Sequence, residues 1–332
     1  MLVRAGARPA WERKRLAIHK VLQRCLGEMP PRPAAPKSRT VLREQRSGYT
    51  LEKLEIDNGV DAVIPSCLVI PHGLREPAPA ILLLHWHSGD KGGPLFSSEE
   101  QNVLEPLLKR GYVLMAIDCY FNGERLGRGP AGAIESNIEN QRDSLFKLHL
   151  WFGRTLWGMM VRDDMIAIDY LASRPEVDRR RIGASGMSMG STGAWWLAAL
   201  DERVRAVVAV ACFTRYRELI AHGQLRAHAI YFFVPGILKH FDTEAVAGLV
   251  APRALLALTG DSDPTSPPDG IRVLEKKLGQ IYRLYGAGDR FRSIIYPGVA
   301  HSYTPEMKRE RPPGSTAGCA FLTPGGDGGR CR

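Results

Sequence analysis

Six short runs of this chain are apolar or nearly so: AILLLHW (80–86), YVLMAIDC (112–119), RIGASGM (181–187), AVVAVAC (206–212), ALLALTG (254–260) and RSIIYPG (292–298). A strand with one face in water alternates apolar and polar residues, so an unbroken run needs cover on both faces. Between the runs lie helical stretches at 99–110, closed by Gly111, at 163–173 and at 194–200. Strands alternating with helices imply βαβ crossovers, hence a mostly parallel, twisted α/β sheet with helices on both faces. Ahead of them, YTLEKLEID (49–57) and AVIPSCLVI (62–70) flank Asn58-Gly59 and read as an antiparallel pair.

The organisation follows from where this pattern starts and stops. Residues 1–39 hold a short basic helix, at 11–29, and a proline-rich linker strapped across the surface; 40–308 are expected to form the α/β domain; the Gly/Pro-rich segment 309–332 is expected to be disordered. Two connections, at about 120–160 and 213–250, far exceed the usual two to six residues of such loops and are rich in aromatics. They follow strand carboxyl ends, where α/β sheets hold ligands, and are expected to form the walls and a short helical lid of an apolar pocket.

Composition excludes more than it selects. With 45 Lys+Arg against 35 Asp+Glu the formal charge is +10, but the cations are scattered and surround no nucleic-acid module, so no nucleic-acid partner is expected. The six cysteines form no Cys-x-x-Cys pair, which argues against a zinc ribbon or disulfide framework and for thiols in a reducing cytoplasm. No apolar run is long enough to span a membrane, and the N-terminus lacks the apolar core of a signal peptide. A homo-oligomer is compatible with the sequence.

The chemistry centres on Gly186-Met187-Ser188-Met189-Gly190, between a short apolar strand and a helix beginning STGAWWLAAL. On a sharp strand-to-helix turn a serine is held in a strained backbone, and glycines two residues either side allow strand and helix to approach. A serine hydroxyl needs a base, and the base needs an acid to orient it. The expected order is serine, acid, histidine, each after a strand. Asp263 in TGDSDPTSPP is the preferred acid over Asp261, and His301 in YPGVAHSY is the base. The oxyanion donors are expected at the N–H of Met189 and of His87, with Trp86 the alternative to His87. Trp86, Trp157, Tyr231 and Phe232 are candidate pocket residues; His85 and His87, two apart and without a third ligand, make no metal site.

Together these segments resemble the α/β-hydrolase superfamily, and within it the dienelactone hydrolase and acetyl xylan esterase-like serine esterases. LLLHWHSGDKGG, GYVLMAIDCYFNGERLG, the nucleophile region 163–204, LVAPRALLALTGDSDPTSP and YPGVAHSYTPEM carry the resemblance, over about residues 40 to 305. It implies nucleophile Ser188, acid Asp263 and base His301, no cofactor, and hydrolysis of small acetyl-like esters. Dienelactone hydrolases proper use a cysteine where Ser188 stands, so that specific activity is not expected. An acyltransferase with the same triad is the rival, and a non-catalytic binding protein a weaker one. Relatives end in an amphipathic helix packed on the sheet, and KRERPPGSTAGCAFLTPGG does not form one. That flank is expected to be covered by the N-terminal helix or a second subunit, unless the C-terminus is an altered gene end.

Overall fold

The structure, a computed structural model, describes residues 8–60, 62–97, 102–128, 135 and 137–310. The chain begins with helix α1 (Arg8–Leu26), then antiparallel strands β1 (Ser38–Arg46), β2 (Tyr49–Asp57) and β3 (Val63–Pro71). There follow β4 (Ala78–Leu84), two short helices α2 (Gly93–Phe96) and α3 (Leu104–Leu108), and β5 (Val113–Ile117). Helices α4 (Ile138–Trp151) and α5 (Leu156–Ser173) lead to β6 (Val177–Met187), α6 (Met189–Leu200) and β7 (Val204–Val210). Helices α7 (Tyr216–Ala221) and α8 (Thr243–Gly248) precede β8 (Ala254–Gly260), α9 (Pro268–Leu284), β9 (Phe291–Tyr296) and the short α10 (Pro305–Arg309).

The nine strands among the described residues form one sheet in the order β1-β2-β3-β5-β4-β6-β7-β8-β9. From β5 to β9 every neighbour pair is parallel. The six apolar runs are the six parallel strands. β5 lies on one side of β4 and β6 on the other, so the strand order reverses there and a crevice opens at the carboxyl ends of β4 and β6.

Four helices differ from expectation at their starts, the first being α1, which runs over Arg8–Leu26 where 11–29 was expected. The stretch 99–110 is helical only from Leu104, and 98–101 lie outside the described residues. α5 begins seven residues early, at Leu156, because the Thr155 hydroxyl caps it by accepting from the Gly158 N–H. α6 begins at Met189, directly after Ser188. Strand β1 and helices α2, α9 and α10 are additional to the expected elements.

One face of the sheet carries the larger core, in which Ala80, Leu82, Leu84, Val207 and Ala257 meet α5, α6, α8 and α9. Trp11, Ile18, Leu22 and Leu26 of α1 join this core, so α1 does not cover the opposite flank as expected. There Ile81 and Leu83 pack with α3, and Leu256 and Leu258 with Tyr296 and Met307 of α10. The linker after α1 is strapped down by the buried Arg162 of α5, which donates to the carbonyls of Pro30 (2.8 Å), Pro31 (2.6 Å) and Asn58 (2.9 Å). Both long insertions contain helices, α4 in the first and α7 and α8 in the second. Buried Arg125 ties the first insertion to α5 through Asp163 (2.7 Å). No described helix is long and apolar enough to cross a membrane. The segment 311–332, expected to be disordered, lies outside the described residues.

Trp11 is fully buried against Gly248 of α8 and Ile281 of α9. Trp11→Ala is expected to destabilise the protein by about 3–5 kcal/mol, read from the urea midpoint at constant slope; a loss under about 1 kcal/mol would show that α1 is not part of the core.

Candidate active site

The turn after β6 is forced by two close approaches. A Cβ at residue 190 would lie 2.0 Å from the Leu84 carbonyl oxygen, and one at 186 would lie 2.4 Å from the Gly190 carbonyl carbon. Only glycine fits at either position, because backbone atoms cannot rotate away. Between them Ser188 has φ 57° and ψ −116°, a conformation costing a side-chain-bearing residue about 1–3 kcal/mol. It is held there by Ser188 N–H donating to the Val210 carbonyl (2.9 Å) and by the Ser188 carbonyl accepting from Thr192 N–H (3.1 Å). The Met189 N–H, in the first turn of α6, has no acceptor among the described residues.

A third close approach lies at the end of β8. A Cβ at residue 260 would meet the Val299 carbonyl oxygen at 1.9 Å. Glycine there lets the loop after β9 cross over β8, bringing His301 Nδ1 to 2.8 Å from Asp263 Oδ2. A carboxylate only accepts, so Nδ1 carries a proton, and in the neutral ring Nε2 is the basic nitrogen. Burial opposes the charge on Asp263, but hydrogen bonds from His301 and Thr265 outweigh it and hold the carboxyl below its ordinary value. Asp261 has a different contact: its Oδ1 accepts from Gly298 N–H (2.7 Å) and Ser262 (3.0 Å), bracing the turn before His301.

The structure brings Asp263 and His301 into hydrogen-bond contact, but not His301 and Ser188. The Ser188 hydroxyl instead accepts from the Cys212 thiol at 3.8 Å. Burial pushes that thiol up to about 12, so it stays protonated and a donor. Neither Cys212 nor Thr265 was singled out by sequence reasoning, because no local pattern announces the bend after β7 that brings the thiol to the serine.

The loop after β4 is fixed by side chains facing inward. His85 donates from Nδ1 to its neighbour's carbonyl on Trp86 (2.7 Å) and accepts at Nε2 from Cys119 N–H (3.1 Å). Both ring nitrogens are engaged, so His85 is a brace. Asp118 accepts from the Lys91 N–H (2.8 Å), the Lys91 ammonium (2.7 Å) and Glu124 N–H (2.9 Å). Asn122 donates to the His87 carbonyl (2.8 Å). The Trp86 ring lies on Gly89 and Gly93, where a Cβ would come within 2.9 and 2.4 Å of it, which accounts for glycines in HWHSGDKGG. With the loop so held, the N–H groups of Trp86 and His87 have no acceptor among the described residues.

Aromatic rings wall this region. Tyr231 stacks on His87 (5.9 Å between centroids), Phe121 (5.5 Å) and Trp157 (5.9 Å), and Phe232 meets Trp157 edge-on (6.1 Å). Three of the four candidate pocket residues, Trp157, Tyr231 and Phe232, thus form one cluster drawn from both insertions. Arg142 of α4 donates to His87 Nε2 (3.2 Å), and burial followed by this cation holds the imidazole below its ordinary value.

The sequence profile of the Dienelactone hydrolase family matches residues 64–317. YtaP of Bacillus subtilis, named as a hydrolase, is 35% identical over 306 residues, covering 88% of this chain and 95% of its own. Among solved structures, a glucuronoyl esterase from Solibacter usitatus superposes with a TM-score of 0.69 at 21% identity, over 90% of this chain and 91% of that one. A Bacteroides fragilis protein described as an acetyl xylan esterase gives 0.64 at 22% identity, over 87% of this chain and 74% of its own.

Because the folded value of Asp263 is depressed, its contribution to stability is fully present above the unfolded carboxyl value of about 4 and is lost as pH falls through the folded value. Asp263→Asn is therefore expected to flatten the fall of unfolding free energy below about pH 4, followed by urea titrations at stepped pH. A variant that declines as steeply as the wild type would contradict the assigned hydrogen bonds.

Proposed function

The chain belongs to the Dienelactone hydrolase family and has the α/β-hydrolase fold, and from that premise we propose that it is a serine carboxylic ester hydrolase with Ser188 as nucleophile, His301 as base and Asp263 as acid. What carries this reading is a serine at positive φ between two obligatory glycines, linked through Cys212 and Thr265 to the hydrogen-bonded pair of His301 and Asp263.

In the proposed cycle the Ser188 hydroxyl turns from Cys212 to His301 Nε2 and attacks the ester carbonyl while Nε2 takes its proton. The N–H of Met189 and that of His87 or Trp86 receive the negative charge on the oxygen. The tetrahedral adduct collapses, its C–O bond breaks, and His301 returns the proton to the departing alcohol. Water, deprotonated by the same nitrogen, then attacks the acyl-enzyme; the bond between the acyl carbon and Ser188 Oγ breaks, His301 returns the proton to that oxygen, and the acid departs. Asp263 keeps the imidazole proton on Nδ1 and balances the charge of the imidazolium.

The proposed substrates are small-molecule esters with short, acetyl-like acyl groups. Two observations support this: the wall of Trp157, Tyr231 and Phe232 is packed ring against ring, and a structural neighbour is described as an acetyl xylan esterase. A cytoplasmic location is proposed on the four described cysteines, all free thiols.

The test is hydrolysis of p-nitrophenyl esters from acetate to laurate. Turnover is expected to peak at the short chains and to fall at least about a thousandfold in Ser188→Ala. A folded Ser188→Ala variant that retains turnover would overturn the assignment, and a peak at long chains would overturn the substrate class.

A further inference from the structure

Thr265 lies two residues beyond the proposed acid, and its hydroxyl touches more of the site than any one of the three assigned groups does. Thr265 Oγ1 is 2.7 Å from Asp263 Oδ1, 3.2 Å from His301 Nδ1 and 3.4 Å from Cys212 Sγ, and Cys212 Sγ in turn reaches Ser188 Oγ. The Thr265 N–H also donates to Asp263 Oδ1 (2.9 Å). Its carbonyl accepts from His228 Nε2 (3.1 Å), whose ring stacks on Phe232 in the second insertion.

A hydroxyl has one proton, and the directions of these bonds follow from that. The shortest contact is to a carboxylate, which can only accept, so the Thr265 proton goes to Asp263. The oxygen is then an acceptor towards everything else that faces it. The Nδ1 proton of His301 is directed at Asp263 (2.8 Å) and only shared with this oxygen (3.2 Å), and the single thiol proton of Cys212 serves either this oxygen (3.4 Å) or Ser188 (3.8 Å). Asp263 fills one oxygen with Thr265 and the other with His301, so its carboxylate plane is fixed and the ring is fixed with it.

The link to Ser188 is built into the backbone. Ala211 and Cys212 both have positive φ, 58° and 49°, two consecutive strained residues that each cost about 1–3 kcal/mol. The Ala211 carbonyl accepts from the Ser191 hydroxyl and the Cys212 carbonyl from the Thr192 hydroxyl (3.3 Å), both from the first turn of α6, and Ala211 N–H donates to the Leu258 carbonyl (2.8 Å). The strain is thus held by α6 and β8, and its result is a thiol between Ser188 and Thr265.

We infer that Thr265 is a positioning residue: its hydroxyl orients the Asp263 carboxylate and the His301 imidazole as one unit, and the strained Cys212 joins that unit to Ser188. The kinetic consequence rests on the ester-hydrolase reading; the effect on His301 does not. Among the described residues the titratable groups facing His301 are Asp263 and His228, and burial holds His228 below its ordinary value.

Thr265→Val keeps the shape and removes the hydroxyl, and Thr265→Ser keeps the hydroxyl. On an ester that the wild type hydrolyses, Thr265→Val is expected to lower kcat roughly 10- to 100-fold with little change in KM, as for a misplaced catalytic group, while Thr265→Ser recovers most of the rate. Without its second donor Asp263 pairs more strongly with the imidazolium, so the acid limb of the kcat profile moves to higher pH in Thr265→Val. Wild-type kcat and pH profile in Thr265→Val, or equal damage in Thr265→Ser, would overturn the inference. The second measurement needs no ester: NMR titration of His301 in histidine-labelled protein, assigned with His301→Gln, is expected to show its pKa rising by about half a unit or more in Thr265→Val. An unchanged His301 titration would also overturn the inference. A wild type that hydrolyses no ester but shows that shift would refute the ester-hydrolase reading and leave Thr265 as the positioning residue.

Discussion

The Leu84 carbonyl oxygen stands where any side chain at residue 190 would go, and the rest of the site depends on that contact. β4 and β6 are neighbours at the reversal of strand order, with Leu84 opposite Gly186, so the loop after β4 and the turn after β6 leave the sheet side by side. Because glycine occupies 186 and 190, α6 starts within one residue of β6, with residue 190 set against the backbone of Leu84 and His85. The same device recurs at Gly260, where the absence of a Cβ lets the loop of His301 lie across the end of β8. Two backbone contacts thus bring three loops, from widely separated parts of the sequence, into one crevice.

Rigidity around this crevice comes from buried polar groups. Lys91 and Asp118 form a buried ion pair (2.7 Å), which gives stability only if further hydrogen bonds satisfy both partners. Here the Lys91 and Glu124 N–H groups and the Glu124 carboxylate supply them, and the same bonds pin the loop that carries His87. His85 and Asn122 add two more anchors. Donors held before a reaction begins need no rearrangement when charge develops, which is the physical basis of electrostatic preorganisation.

Much of this was legible in the sequence, for identifiable reasons. The six parallel strands show because both of their faces are buried, leaving continuous apolar runs. Strand β1 does not, because it is an exposed edge strand with charges at Arg39, Arg43, Glu44 and Arg46, so no apolar period marks it. α9 carries a readable spacing, with Ile271, Leu274, Leu278 and Ile281 buried, but it was not assigned. The proposed triad of Ser188, Asp263 and His301 is read from their places after β6, β8 and β9. Cys212 and Thr265 are not, since their contact depends on left-handed backbone at Ala211 and Cys212, residue types that give no hint of it. The placement of α1 was likewise hidden: its apolar residues predict burial, not which face of the sheet receives them.

The central claim is that Ser188 forms the covalent intermediate. Mixing the protein with a short-chain activated ester, quenching in acid within the first turnover and mapping the added acyl mass by peptide mass spectrometry tests it most directly. The account predicts an acetyl-sized adduct on the peptide carrying Ser188, absent after full turnover. An adduct on Cys212 or His301, or turnover of the ester with no adduct at any time, would contradict it.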